Sequence, residues 1–244
     1  MLSKDNHFEG FSAEAVFFLK NLKENNNREW FLARKKDYTR KVLRPAGDFV
    51  IEMGEMLQKI SPGIQADPRV NRSISRIYRD TRYASEEEPY RTYIGIWFWQ
   101  GARKVNESPG YYFEIRPDKL YLSAGIKSFS RRMLQCYRGA VAEPKSGEKL
   151  VSIVDKIKEN PDYQISKESF KRVPEGYRVE GKRQELIRFN SLLANIEIPI
   201  PSELYNRNLL KVVFRIYKDF SPIHNWLTEY VQNSSNEDSV KKQN

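Results

Sequence analysis

The sequence is poor in the residues that build the commonest reactive centres. It has one cysteine, Cys136, and two histidines, His7 and His224, far apart in 244 residues. One cysteine excludes an internal disulfide and a thiolate metal cluster. Two distant histidines exclude a His-rich metal site, so neither metal nor cofactor is expected. No apolar run approaches the roughly 20 residues needed to cross a bilayer. The longest near the start, Ala15 to Leu19, is too short for a signal-peptide core. The expectation is a soluble, cytoplasmic protein with no membrane partner. Internal repeats, glycine/serine linkers, G-x-S-x-G, P-loop and G-x-G-x-x-G motifs are all missing.

What is present is aromatic and basic. Thirteen Phe, 14 Tyr and four Trp bury enough area to argue against disorder. Lys and Arg number 42 against 32 Asp and Glu, a formal charge of +10. The excess is uneven: residues 69–140 carry 14 basic and 7 acidic groups, net +7, and 11 of those 14 are Arg. Arginine is a rigid fork suited to gripping a carboxylate or phosphate at two points, so this enrichment points to specific pairing.

Periodicity divides the chain. Ser12 is placed to cap a helix with the stripe Ala15, Val16, Phe18, Leu19 and Leu22, which Asn25-Asn26-Asn27 ends. A second helix is expected over Arg28 to Leu43, and Pro45 is expected to open a third with the stripe Phe49, Met53, Met56, Leu57 and Ile60. The period then changes. Residues 92–99, 111–116 and 120–124 read as strands; Pro117-Asp118-Lys119 is a tight turn, so the last two are antiparallel. Both faces of 92–99 are apolar, which predicts a central strand covered on both sides, with Trp97 and Trp99 as core. Further helices are expected over 130–141, 149–160 and 182–195, and helical structure again within 201–231. The reading is an α+β fold: a mostly antiparallel sheet, a meander around residues 73–124, with helices N- and C-terminal to it. One domain is expected over 1–231, with a disordered polar tail at 232–244.

Residues 72–93 (RSISRIYRDTRYASEEEPYRTY) hold the candidate site. Arg76, Arg79 and Arg82 recur at every third position, with Asp80 between them and Tyr90 beyond. Read as a strand over 73–79, the segment is expected to form a pocket at the sheet edge for a small phosphate- or carboxylate-bearing ligand. Arg79 and Arg82 would hold the anion, Asp80 would orient a guanidinium, and Tyr90 would donate its hydroxyl. Two readings compete. One is a structural or interaction protein in which these arginines pair internally with Asp80 or Glu86 to Glu88. The other is a nucleic-acid-binding protein using a basic, aromatic surface. Arg34-Lys35-Lys36 with Arg40, Lys41 and Arg44 forms a helical basic patch, read as a solvated face. His224 and Cys136 are read as packed side chains, and no nucleophile–base pair supports catalysis.

Arg76-x-x-Arg79-Asp80-x-Arg82-Tyr83 followed by Pro89-Tyr90 resembles the signature R-x-x-R-D-x-R-F-x-x-x-[D/N]-K-x-x-Y of a family of bacterial conserved hypothetical proteins, a domain of unknown function. Asn26 to Phe31, Gly110-Tyr111-Tyr112, Ala124-Gly125 with Arg138, and Val173 to Tyr177 are similar to further blocks of that family, so the resemblance spans roughly residues 8–228. Tyr83 stands for Phe, Glu87-Glu88 for the [D/N]-K pair, and Gly181-Lys182 for His-Pro. The resemblance carries over only the retained residues Arg76, Arg79, Asp80, Arg82 and Tyr90, and implies no activity.

Overall fold

The computed structural model describes residues 7–80, 88–101, 108–166 and 169–233. Seven α-helices and six strands are found among them: α1 (Ala13–Glu24), α2 (Arg28–Asp37), α3 (Arg44–Leu57), β1 (Ile64–Gln65), β2 (Ile94–Gln100), β3 (Gly110–Ile115), β4 (Lys119–Ile126), α4 (Arg131–Ala142), α5 (Pro144–Lys158), β5 (Gln164–Ile165), α6 (Arg183–Leu186), β6 (Leu192–Pro199) and α7 (Leu209–Leu227). The strands form one antiparallel sheet in the order β1-β2-β3-β4-β6-β5. The α+β architecture with helices before and after the sheet therefore stands.

By contacts the chain forms two compact units. The first comprises residues 1–98, 112–122 and 197–216; the second comprises 99–111, 123–196 and 217–244. In the first, α3 is helical because Phe49, Val50, Met53 and Leu57 recur on one stripe, and all four are buried. Phe49 stacks on Phe113 of β3 at 4.7 Å and meets Phe8 edge-on at 5.2 Å. The face of β2 and β3 carrying Phe98 and Phe113 is thus the one turned to the helices. In the second unit, Tyr111, Tyr217, His224 and Trp226 are buried, and Tyr111 lies against both Tyr217 (4.9 Å) and His224 (4.7 Å).

Three elements differ from the sequence expectation. The helix opened by Arg28 does not stop before Pro45; it passes through a π-helical turn, Tyr38–Leu43, straight into α3 with Pro45 in its first turn. Proline lacks an N–H and crowds the carbonyl four residues back. A π-turn shifts the hydrogen-bond ladder by one residue, here placing the Arg44 N–H on the Thr39 carbonyl, and so lets the chain carry proline without a break. The helix expected over 149–160 begins earlier, at Pro144, with the Glu143 carboxylate accepting from the Lys145 and Ser146 amides. The Ser146 hydroxyl donates to the same carboxylate, and it, followed by the two amides, holds the Glu143 carboxyl down at about 2.

The helix expected over 182–195 is a correction. Only Arg183–Leu186 is helical, and residues 192–199 are β6. Leu186, Ile187 and Leu193 mimic a helical stripe, but Leu192, Ala194 and Ile196 alternate with Leu193, Asn195 and Glu197. The first set is buried and the second is not, which is a strand period. The tail expected to be disordered lies, from residue 234 on, outside the described residues.

Candidate functional site

The 73–79 segment, expected to be a strand, forms no continuous strand: it has a turn at Ser73, a bend at Ile77 and isolated bridges at Ile74 and Tyr78. It meets β2 through an isolated antiparallel bridge, Ile74 to Ile96, and the chain preceding β2 through another, Tyr78 to Tyr90. Ser75 ties the two together: its N–H donates to the Gly95 carbonyl at 2.9 Å, and its hydroxyl accepts from the Gly95 N–H at 3.1 Å.

The predicted residues divide into two pairings. Arg76 lies 3.6 Å from Asp80, with its side chain 48% exposed. The Arg79 guanidinium is more fully engaged: its Nε donates to the Tyr90 carbonyl at 3.0 Å and an Nη sits 2.9 Å from Glu88. Tyr90 is 1% exposed, its ring stacked on Phe31 at 4.3 Å and near Tyr78 at 5.1 Å. Burial and then the Tyr78 phenol push its hydroxyl pKa up. Arg82, Glu86 and Glu87 lie outside the described residues.

Asn26, in the turn before α2, closes this element. Its Nδ2 donates to the Tyr90 carbonyl and its Oδ1 accepts from the Tyr90 N–H, each at 2.9 Å. A side-chain amide here imitates a neighbouring strand. The block Asn26 to Phe31 and the arginine segment, some 60 residues apart in sequence, meet at Tyr90. Asn26→Ala should cost about 1–2 kcal/mol, because the part-buried Tyr90 N–H loses its partner while the Tyr90 carbonyl keeps only the Arg79 Nε. Urea unfolding of the variant checks this by a lower midpoint at unchanged slope.

A second constellation occupies the sheet face opposite Phe98 and Phe113. In the run Tyr112 to Arg116 (Y-F-E-I-R), alternation puts Tyr112, Glu114 and Arg116 on one side of β3. The Tyr112 hydroxyl donates to Glu114 Oε2, and Arg116 Nε donates to Glu114 Oε1 at 2.5 Å. Glu114 is 4% exposed. A buried carboxylate stays charged cheaply only when both oxygens are bonded, as they are here. Arg116 also reaches Glu197 of β6 at 3.2 Å, and Lys119 meets the same carboxylate at 2.5 Å.

Aromatic rings surround this chain of charges. Trp97 lies 4.2 Å from Tyr112, Tyr121 meets Tyr112 edge-on at 6.0 Å, and the Arg116 guanidinium stands 5.9 Å from the Tyr121 ring. These three rings are half-buried rather than sealed, so Trp97 is not the fully covered core residue the apolar pattern suggested. Gly95 sits over the Tyr112 hydroxyl; a Cβ there would come within 2.5 Å of it. Burial, then the Glu114 charge, raises the Tyr112 pKa, while the nearby Arg91 opposes this. For Arg116, burial disfavours the charge, but Glu114 and Glu197 outweigh it and hold the guanidinium protonated. Tyr112 therefore serves as a donor, not a base, at any neutral pH.

Sequence reasoning treated 111–116 as core and passed over the triad. The signal was there: Tyr, Glu and Arg at alternate positions of a strand whose other face is wholly apolar. Among the described residues, no group of three His, Cys, Asp or Glu is placed to hold a metal ion, and no helix is long and apolar enough to cross a membrane.

The family model described as Conserved hypothetical protein (DUF2461) matches residues 14–226. No curated protein matches the chain significantly. That family match covers α1 through α7, the Asn26–Arg79–Tyr90 junction and the Tyr112–Glu114–Arg116 face alike. The chain belongs to this family of conserved hypothetical proteins.

Proposed function

We propose that the protein binds a small anionic ligand, phosphate- or carboxylate-bearing and with a flat ring, on the β2–β3–β4 face. The reading rests on one observation: the half-buried rings of Trp97, Tyr112 and Tyr121 flank a buried, doubly bonded Glu114 with Arg116 beside it. Rings give a stacking floor. Arg91 and Arg116 give forks for the anion, and Glu114 with Tyr112 fixes the Arg116 side chain before the ligand arrives. Within this reading Arg79 and Tyr90 act through the backbone junction that positions the edge beside Gly95. Arg76, about half exposed beside Asp80, is more accessible to a ligand than Arg79.

A melting-temperature screen with nucleotides, phosphorylated metabolites and dicarboxylates tests the proposal, since a ligand bound only by the folded state raises its stability by mass action. We expect one class to raise the midpoint. The rise should vanish in Arg91→Ala and in Trp97→Leu, and survive in Arg79→Lys, which keeps charge at the junction. If no anionic compound shifts the midpoint at millimolar concentration, or if the shift is unchanged in both face variants, the proposal fails.

A further inference from the structure

The 17 residues from Arg28 to Arg44 contain seven basic and two acidic side chains, net +5, half of the whole chain's +10. The flanking stretches conceal this: residues 1–27 and 45–68 together hold four basic and eight acidic groups, net −4. The excess is concentrated on one surface. A groove of about 570 Å³ is lined by Leu32, Lys35, Lys36, Thr39, Arg40 and Arg44. All six are exposed, Leu32 by 49%.

The π-turn shapes this groove. Widening the helix over Tyr38–Leu43 changes the ladder just where Thr39 and Arg40 project, and the Thr39 hydroxyl turns back onto the Lys35 carbonyl at 3.0 Å. Such turns cost hydrogen-bond quality and are common where a helix has a task beyond packing. Arg44 lies in the field of the Asp48 carboxylate. Arg40 shares Asp37 at 3.3 Å, both side chains exposed, and Lys41 is drawn off toward Glu14 and Asp37 at 3.9 and 3.8 Å. Lys35 and Lys36 form no ion pair among the described residues.

We infer that this groove binds the phosphate backbone of a single-stranded nucleic acid. Lys36, Arg40 and Arg44 follow at four-residue steps, roughly 6 Å each along a helix axis. That spacing suits a repeating anion better than an isolated one. The cations are mixed Lys and Arg and exposed, as sequence-independent phosphate contacts are. Leu32 offers an apolar wall to a sugar or base. The groove is shallow and open, so a flexible strand can follow it along the helix. The inference stands apart from the ligand face on the sheet and does not depend on it.

The test is fluorescence anisotropy of the full chain with a labelled 20-nucleotide mixed-sequence oligonucleotide, titrated across salt. Three to four phosphate contacts give log K against log salt a slope of about −2 to −3. Lys35→Glu with Lys36→Glu should weaken binding at least tenfold at low salt and flatten the slope by about 1. The same charge change at Lys156 and Lys158 of α5 should alter it less than twofold. Lys35→Ala with Lys36→Ala, a milder change at exposed positions, should weaken binding in the same direction. Absence of oligonucleotide binding at 50 mM salt (a low ionic strength that favours such contacts), or equal losses at the two sites, overturns the inference. So does retention on phosphatidylserine vesicles without oligonucleotide binding.

Discussion

Gly125→Ala is expected to lower the melting temperature by on the order of 10 °C, whereas Gly139→Ala raises it slightly. Both add one methyl group. Gly125, in β4, has φ +130°, a conformation that L side chains rarely adopt, and its Cβ would lie 2.0 Å from the Leu192 carbonyl oxygen of β6. The obstacle is backbone, not the end of a flexible side chain. The methyl group can be admitted only if β6 withdraws from β4, and the strained φ adds to that cost. Together these amount to roughly 3 kcal/mol or more. Gly139 lies on the exposed side of α4 with nothing within 4 Å of its would-be Cβ. Alanine there only removes unfolded-chain freedom and improves helix propensity, a gain of about 0.5–1 kcal/mol. Scanning calorimetry of the two variants decides the matter. Equal shifts would mean that the close approach of β4 and β6 does not hold in solution.

The same contrast explains which parts of the molecule the sequence disclosed. Elements with one unambiguous period were legible: α1 from Ala15, Phe18, Leu19 and Leu22, and β3 and β4 from their alternation around Pro117-Asp118. Where two periods overlap, the local pattern failed. Leu186, Ile187 and Leu193 fit a helix, and pairing with β4 and β5 selects the strand over 192–199. Tertiary pairing is not written in local spacing.

The candidate site was legible in a similar, partial way. Arginine density drew attention to Arg76 and Arg79, and the structure places both beside carboxylates. That Asn26 meets Arg79 at the Tyr90 backbone could not be read, because a side-chain amide pairing across 64 residues leaves no periodic trace. The Tyr112–Glu114–Arg116 face was legible in principle. It was masked by its apolar neighbours Tyr111, Phe113 and Ile115, which by themselves suffice to mark a core strand. Averaging charge over the first 68 residues concealed the +5 on 28–44 in the same manner. In each case a functional pattern was narrower than the window through which it was viewed.

Acid should weaken this protein first through His224. The ring is 1% exposed, stacked on Tyr111 at 4.7 Å, with Nδ1 3.1 Å from the Asn225 side-chain oxygen. Burial penalises the imidazolium more than that contact assists it, and the pKa falls from 6.5 to about 4. The sign follows from proton uptake. Below pH 6.5 the unfolded chain protonates at this position while the folded one does not, so unfolding gains stability as pH drops. The contribution is complete above pH 6.5, declines through the interval down to pH 4, and is spent below it. Its size is roughly 3 kcal/mol. Asp67 and Glu143 act lower down: the Arg69 hydrogen bond and the Ser146 bonds hold their carboxyls at about 2, from ordinary values of 3.8 and 4.5. Their stabilisation is lost only as pH falls through that lower range. The two limbs are therefore separable. Urea unfolding measured from pH 8 to 2 should show one decline between 6.5 and 4 and a further fall below it, and His224→Phe, which keeps a flat ring against Tyr111, should remove most of the first while leaving the fall below pH 4 in place. If the variant's profile between 6.5 and 4 retains the wild-type slope, proton uptake at His224 is not the cause.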